Sequence, residues 1–159
     1  MAATKESRME LTTIPETIEW PETHYVFIEK KGPFSLNAPQ AWTELHKVIP
    51  AIEKHNTVTR YFSLYKPAEQ IYRAGVSVAE RPKDLPAGVA YEIFQGGRYG
   101  RFLMTGSYAN LPEACGRVFG IVQESKLPLR EDYNIEHYVS DPRKTPEDEL
   151  ITELLFPMA

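Results

Sequence analysis

A motif that occurs twice constrains this chain more than any other feature. Gly32-Pro33-Phe34 corresponds to Gly106-Ser107-Tyr108, and Asn37-Ala38-Pro39 corresponds to Asn110-Leu111-Pro112. A strand-like run precedes each copy, and an apolar stripe at helical spacing and two further strand-like runs follow it. Because one such unit cannot bury its amphipathic helix alone, the repeat predicts two units packed as pseudo-twofold partners around a shared sheet surface, with a cleft between the helices.

Local patterns place the elements of each half. The first half has the strand HYVFIEKK, a helix capped by Asn37, and the strands TRYFSLYK and QIYRAGVSV, with Gly75 a possible bulge; the segment ETIEWPET before them predicts a loop. The second half has a hairpin turning at Gly96-Gly97, the helix LPEACGRVFGIVQESK, a short strand NIEHYV and a final strand ELITELLF.

These patterns predict an α+β fold in which duplicated strand-helix-strand-strand units form an antiparallel sheet, with two helices flanking a central cleft. We expect one domain over residues 1–159, with repeat halves at about 8–79 and 89–157 and flexible residues 1–7.

Composition narrows the function. The formal net charge is −4 and the basic residues are scattered, which argues against direct nucleic-acid binding. Cys115 is the single cysteine and the four histidines form no spaced pair, so no metal site is expected, and the absence of a glycine-rich phosphate loop indicates no nucleotide cofactor. No apolar run suits a bilayer or a signal peptide, so we predict a cytoplasmic protein that does not enter a membrane.

Glu136 and Tyr138 are the strongest candidates for a functional site. They stand two apart in a strand-like run, so their side chains point to one face of the sheet. The counterpart of Glu136 in the first half is Phe62 or a neighbour, and this asymmetry favours a function over a structural role. Glu136 then serves as a ligand counter-ion, as a general base or as a nucleophile; the alternative is a solvated acid on an edge strand.

Aromatic residues supply candidate walls for the site. Trp42 lies on the apolar stripe of its helix and suits either a pocket wall or the core. The remaining candidates, which we weigh as a group because each alone also suits the core, are Tyr25, Phe27, Phe62, Tyr65, Tyr91 and Tyr108.

The chain resembles the GyrI-like small-molecule-binding domain, which also occurs as the effector-binding domain of AraC-type and MerR-type multidrug-responsive regulators. The glycine turns before both helices, GRYGRFLMTGSYANLPEACGRVFGIVQES and YNIEHYVSDPRKTPEDELITELLFP carry the resemblance. It implies an aromatic pocket with a buried glutamate that pairs with lipophilic cations, in which Glu136 is the matching acid, Tyr138 lies beside it and Trp42 is a wall. No DNA-binding helical domain fits before residue 8, so a stand-alone protein is expected.

Three functions therefore remain open. The first is a non-enzymatic protein that binds hydrophobic, often cationic or neutral, organic molecules, using Glu136, Tyr138, Trp42, Phe62, Tyr65, Tyr25 and Tyr108. The second, implied by the resemblance, is a cofactor-independent hydrolase of cyclopropane-containing electrophiles with Glu136 and Tyr138 as catalytic residues. The third is a protein-interaction module that binds a separate regulator or a gyrase-type partner.

Overall fold

The computed structural model describes residues 9–159, so the prediction for residues 1–7 lies outside it. Within these residues, neither helix is both long and apolar enough to span a membrane. The elements in chain order are β1 (Met9–Leu11), β2 (Glu16–Trp20), β3 (Thr23–Lys31), α1 (Phe34–Glu53), β4 (Val58–Lys66), β5 (Ile71–Val78), β6 (Ala90–Phe94), β7 (Gly97–Gly106), α2 (Leu111–Glu124), β8 (Asn134–Tyr138) and β9 (Ile151–Pro157).

All strands join one antiparallel sheet in the order β1-β7-β9-β8-β4-β5-β3-β6, with β2 also paired to β7. The first unit is β3-α1-β4-β5 and the second is β7-α2-β8-β9. The units meet where β4 pairs with β8, and Ser63 lies opposite Glu136 in that pairing. The predicted α+β fold with duplicated strand-helix-strand-strand units is confirmed.

The two units correspond residue by residue around this seam. The buried helix residues Ala41, Leu45 and Ile49 match Ala114, Val118 and Val122 at one constant offset. The same offset relates Ser63 to Glu136 and Tyr65 to Tyr138. The counterpart of Glu136 is therefore the serine beside Phe62 and not Phe62 itself.

Both helices lie on one face of the sheet but pack into different apolar clusters. The buried residues of α1 pack with side chains of β3, β4 and β5. Those of α2 pack with side chains of β7 and β9. Each helix buries its stripe within its own unit, contrary to the expectation that one unit could not do so, and a cleft between the helices lies above the β4–β8 seam.

Several local predictions were wrong. Gly96-Gly97 does not turn a hairpin, because β6 pairs with β3 whereas β7 pairs with β1, β2 and β9. The segment ETIEWPET contains β2, which has only one buried residue, Trp20, and lacks the dense apolar run typical of an inner strand. Asn37 does not cap α1, because the helix begins at Phe34 directly after Pro33.

The opposite face of the sheet holds an aromatic cluster, whose buried members are Trp20, Tyr25, Phe27, Phe62, Leu64, Phe94, Tyr99, Ile135 and Leu155. Tyr25 lies over Gly75, so that a Cβ at this glycine would stand 2.3 Å from Cζ of the ring. Gly75 is not a bulge, because its pairings with β3 and β4 lie within a stretch of regular register from Ile71 to Ser77. The absence of a side chain at Gly75 leaves the space that the Tyr25 ring occupies in the core.

We expect Gly75→Ala to lower the free energy of unfolding by about 1–3 kcal/mol, because the buried ring cannot move aside without disturbing its neighbours. Gly116→Ala is the matched control: a Cβ there meets nothing within 4 Å, and alanine favours the helix by up to about 1 kcal/mol. Denaturant unfolding measures both. Equal stability of Gly75→Ala and the parent would contradict this close approach.

Candidate functional site

The floor of the cleft is formed by the helix-facing side chains of β4 and β8. Strand alternation places Ser63 and Tyr65 of β4 on this face together with Glu136 and Tyr138 of β8. The pairing of Ser63 with Glu136 brings the two strands' polar side chains next to each other. The floor therefore combines one carboxylate, one serine hydroxyl and two phenols.

Each helix contributes one side chain that reaches across to the other unit. Trp42 of α1 contacts Tyr138, with ring centroids 5.2 Å apart and planes at 86°. Cys115 of α2, which stands at the repeat position of Trp42, interacts with Tyr65. The cleft is thus closed over by one helix residue from each side.

Glu136 receives two hydrogen bonds inside the cleft. The Tyr138 hydroxyl donates to one carboxylate oxygen, and the Cys115 thiol donates to the other at 3.7 Å. Burial raises the pKa of Glu136, while these two hydrogen bonds oppose the rise. Among residues 9–159, no Lys, Arg or His side chain forms an ion pair with this carboxylate. Its negative charge is therefore hydrogen-bonded but not neutralised by the described part of the protein.

The hydroxyl groups of the floor are connected. Ser63 Oγ lies 3.1 Å from the Tyr138 hydroxyl and 2.7 Å from the Tyr72 hydroxyl. Trp42 Nε1 donates to the Tyr72 hydroxyl at 2.9 Å and to Ser63 Oγ at 3.2 Å. A line of hydrogen bonds therefore joins the helix residue Trp42 to Glu136.

The phenols and the thiol of the cleft are neutral proton donors at neutral pH. Burial raises the pKa of Tyr72 to about 12 and that of Cys115 to about 12. Burial also raises the pKa of Tyr138 and Tyr65 well above the usual tyrosine value, and Glu136 adds to the rise. Glu136 is thus the most acidic group of this cleft, although burial raises its pKa above the usual glutamate value.

Five of the seven predicted site residues come together here: Glu136, Tyr138, Trp42, Tyr65 and Tyr108. Tyr108 packs edge-on against Tyr138 at 5.5 Å. Of the other aromatic candidates, Phe27 lies in the cluster on the opposite face and Tyr91 packs at the margin of the α1 cluster.

The remaining two predicted site residues, Tyr25 and Phe62, are not part of the cleft. They stack on each other at 4.7 Å in the cluster on the opposite face, and neither side chain is exposed. The Tyr25 hydroxyl donates to the carbonyl oxygens of Phe62 and Arg73. Phe62 points away from the cleft because it precedes Ser63 in the strand.

Sequence reasoning missed Phe34, Ser63 and Tyr72. Phe34 packs edge-on against Tyr72 at 5.5 Å. The repeat contained the signal for Phe34 and Ser63, since these are the counterparts of Tyr108 and Glu136. Tyr72 becomes apparent only from the pairing of β4 with β5, which places it opposite Tyr65. In the described part of the chain, no three His, Cys, Asp or Glu side chains are arranged to hold a metal ion.

A second carboxylate, Glu153, lies one strand away from the seam and contrasts with Glu136. It accepts hydrogen bonds from His137 at 2.8 Å and Arg101 at 3.1 Å. Burial alone raises the pKa of Glu153, but these two partners outweigh it, so the net pKa is lowered. The protein itself therefore supplies hydrogen-bond partners for the Glu153 carboxylate.

We expect Glu136→Gln to raise the free energy of unfolding at neutral pH. The pKa of Glu136 is higher in the folded than in the unfolded chain, so its ionisation costs stability as the pH rises through these values. The gain should shrink as the pH falls below about 4, where the unfolded chain also holds the proton. Denaturant unfolding at several pH values measures the difference.

Glu153→Gln is the matched control and should have the opposite effect. The pKa of Glu153 is lowered, so the ionised form stabilises the fold above the unfolded pKa, and this contribution is lost as the pH falls through the folded value. We expect a loss of roughly 1–2 kcal/mol at neutral pH. A destabilised Glu136→Gln would show that the carboxylate is satisfied within the protein.

Several solved structures share the fold of this chain. SAV2435 bound to tetraphenylphosphonium matches with a TM-score of 0.71 at 13% identity, covering 91% of this chain and 93% of that one. The C-terminal domain of EcmrR matches with a TM-score of 0.65 at 20% identity, covering 94% and 96%. A structure described as a hydrolase from Listeria innocua matches with a TM-score of 0.60 at 15% identity, covering 92% of both chains.

A search of curated proteins found no match. The model of one family, the GyrI-like small molecule binding domain, matches residues 14–159. This match includes both repeat units and every residue of the cleft. The chain therefore belongs to the GyrI-like small-molecule-binding domain family.

Proposed function

We propose that this protein binds lipophilic organic cations in the cleft above the β4–β8 seam, with Glu136 as the counter-charge. The observation that carries the proposal is a partly buried carboxylate with two hydrogen-bond donors and no cationic partner among residues 9–159. A carboxylate in a site of low dielectric attracts a cation more strongly than one in water. Membership of a small-molecule-binding family agrees with this role.

The rings around Glu136 suit a cation with an apolar surface. Trp42 and Tyr108 each contact Tyr138 edge-on, and all three side chains remain partly accessible. Faces of such rings attract a desolvated cation by about 0.5–2 kcal/mol per good contact. SAV2435, which has the same fold, is bound to tetraphenylphosphonium, a cation of this class, and this supports the choice of ligand.

The test is calorimetric titration of tetraphenylphosphonium into the parent, Glu136→Gln and Glu153→Gln. We expect Glu136→Gln to weaken binding at least about tenfold, because the ion pair is lost while the cleft keeps its shape. Glu153→Gln should leave the affinity within about twofold, because its carboxylate is already paired with His137 and Arg101.

A neutral aromatic probe separates charge from shape. Triphenylphosphine oxide should bind parent and Glu136→Gln with similar affinity, since it has no cationic centre to pair with the carboxylate. Equal losses for the cation and the neutral probe would show that the substitution deforms the cleft. Unchanged binding of tetraphenylphosphonium would remove Glu136 from recognition.

The second candidate function is hydrolysis of cyclopropane-containing electrophiles. The specific observation is the Tyr138 hydroxyl donating directly to Glu136, which places a proton donor beside a carboxylate. Glu136 would activate water for attack on a ring carbon, and Tyr138 would protonate the carbon released when the ring bond breaks. The hydrolase from Listeria innocua has the same fold.

Turnover of a reactive cyclopropane substrate, followed by chromatography of the product, distinguishes catalysis from binding. Catalysis predicts many turnovers by the parent, a rate at least about a hundredfold lower in Glu136→Gln, and a similar loss in Tyr138→Phe. Uptake of one equivalent without product would limit the protein to binding. The gyrase-partner role stays a prediction, because no feature of residues 9–159 bears on it.

A further inference from the structure

The hydrogen bonds between Trp42 and Glu136 have one direction. An indole nitrogen can only donate, and an ionised carboxylate can only accept. Between these two ends lie the hydroxyl groups of Tyr72, Ser63 and Tyr138, each of which donates one proton. The arrangement that satisfies every group therefore runs from Trp42 through Tyr72, Ser63 and Tyr138 to Glu136.

This order makes each hydrogen bond depend on the next. Tyr138 uses its proton on Glu136, so its oxygen accepts from Ser63. Ser63 in turn accepts from Tyr72, whose oxygen accepts from Trp42. Aligned hydrogen bonds polarise one another, so the negative charge of Glu136 strengthens the hold on the indole at the far end.

Within residues 9–159 this line of hydrogen bonds occurs once, although the fold is duplicated. Thr152 occupies in the second unit the place that Tyr72 occupies in the first, because each lies opposite the corresponding tyrosine of the neighbouring strand. In the described part of the protein, Thr152 Oγ1 is buried without a hydrogen-bond partner. Within the described residues, no mirror-image line of hydroxyl groups runs through Thr152 to Cys115. Helix α2 instead reaches the carboxylate directly through the Cys115 thiol, whereas α1 reaches it from Trp42 through three hydroxyl groups.

Trp42 also closes the space that a ligand ring would occupy. Its ring stands edge-on to Tyr138 with centroids 5.2 Å apart. A ring sandwiched between the two would need about 7 Å, which is two contacts of about 3.5 Å each. Tyr138 is held in β8 by a hydrogen bond to the carboxylate, and Trp42 is held on α1 by the hydrogen bonds of its indole nitrogen to hydroxyl groups. Both side chains are partly exposed. A ligand ring could therefore lie between these two side chains only if Trp42 or Tyr138 moved.

We infer that Trp42 is the gate of this cleft, held closed by the directed hydrogen-bond chain that ends on the unpaired carboxylate of Glu136. This inference rests on the proposed function for the identity of the ligand. A cation that pairs with Glu136 reduces the negative charge at the end of the chain, which weakens the hold on Trp42. Ser63 and Tyr72 act as positioning residues, since they link the gate to the carboxylate.

Association rates test the gate in stopped-flow mixing with tetraphenylphosphonium. Trp42→Phe keeps an aromatic ring but removes the donor, so we expect the association rate constant to rise roughly fivefold, as loss of one hydrogen bond implies. Ser63→Ala interrupts the chain in its middle and should give a smaller rise of about twofold. The combined variant should equal Trp42→Phe, because both changes act on one chain.

Ser77→Ala is the matched control for Ser63→Ala. Ser77 is also a buried strand serine, and its hydroxyl bonds to Thr59 at 2.6 Å outside the cleft. It should leave the association rate unchanged. A fixed wall in place of a gate predicts unchanged or slower association for Trp42→Phe, and either result would overturn the inference.

A ligand-free measurement keeps the gate separate from the proposed function. The sequence has two tryptophans, so a Trp20→Phe background leaves Trp42 as the reporter. Acrylamide should quench its fluorescence about twofold more efficiently after Ser63→Ala, and equally after Ser77→Ala as before it. If Trp20→Phe does not fold, the solvent isotope shift of 5-fluorotryptophan at Trp42 in the otherwise unchanged chain gives the same information.

The two measurements distinguish the two failures. Absence of tetraphenylphosphonium binding in the parent contradicts the proposed ligand, and the quenching result then decides the gate. Quenching that Ser63→Ala does not change refutes the chain as the hold on Trp42, whether or not the cation binds.

Discussion

The pairing of β4 with β8 is the interaction on which the rest of the structure depends. It joins two strand-helix-strand-strand units into one sheet and puts Ser63 directly opposite Glu136. Because each helix buries its stripe on strands of its own unit, this pairing leaves a cleft between α1 and α2, which Trp42 and Cys115 cover. The cleft is thus a consequence of joining two units edge to edge, and its floor consists of the residues that make the junction.

Differences between the two units make the site asymmetric, although the scaffold around it is pseudo-symmetric. Serine faces glutamate across the seam, and Thr152 stands where the first unit has Tyr72. Cys115 likewise stands where the first unit has Trp42. The first unit therefore supplies the indole of Trp42 and the hydroxyl groups of Ser63 and Tyr72, while the second supplies the carboxylate and its two direct donors, Tyr138 and Cys115. The first unit is connected to the carboxylate through the hydrogen bond between Ser63 and Tyr138.

Much of this arrangement was predictable from the sequence, and the errors have a common cause. The repeat defined the two units, and strand alternation placed Glu136 and Tyr138 on one face. The sequence places Tyr25 and Phe62 in the pocket wrongly. The face of the sheet to which an aromatic residue of a buried strand points is not known until the register of that strand is known. A shift of one residue, from Phe62 to Ser63, moves a side chain to the other side of the sheet. Tyr72 was missed because its position depends on a long-range strand pairing.

The contrast between Glu136 and Glu153 explains how the protein can keep a charged site inside a stable fold. Both are partly buried carboxylates on adjacent strands near the seam. Arg101 forms an ion pair with Glu153 and His137 forms a hydrogen bond with it, so the pKa of Glu153 is lowered despite its burial and its charge stabilises the fold. Burial raises the pKa of Glu136 by more than its two neutral donors lower it, so its charge weakens the ligand-free fold. A cation bound beside Glu136 would offset this loss of stability, since a ligand that binds only the folded state stabilises it. The charge that the described part of the protein leaves without an ion pair is therefore the one that the proposed cationic ligand would contact.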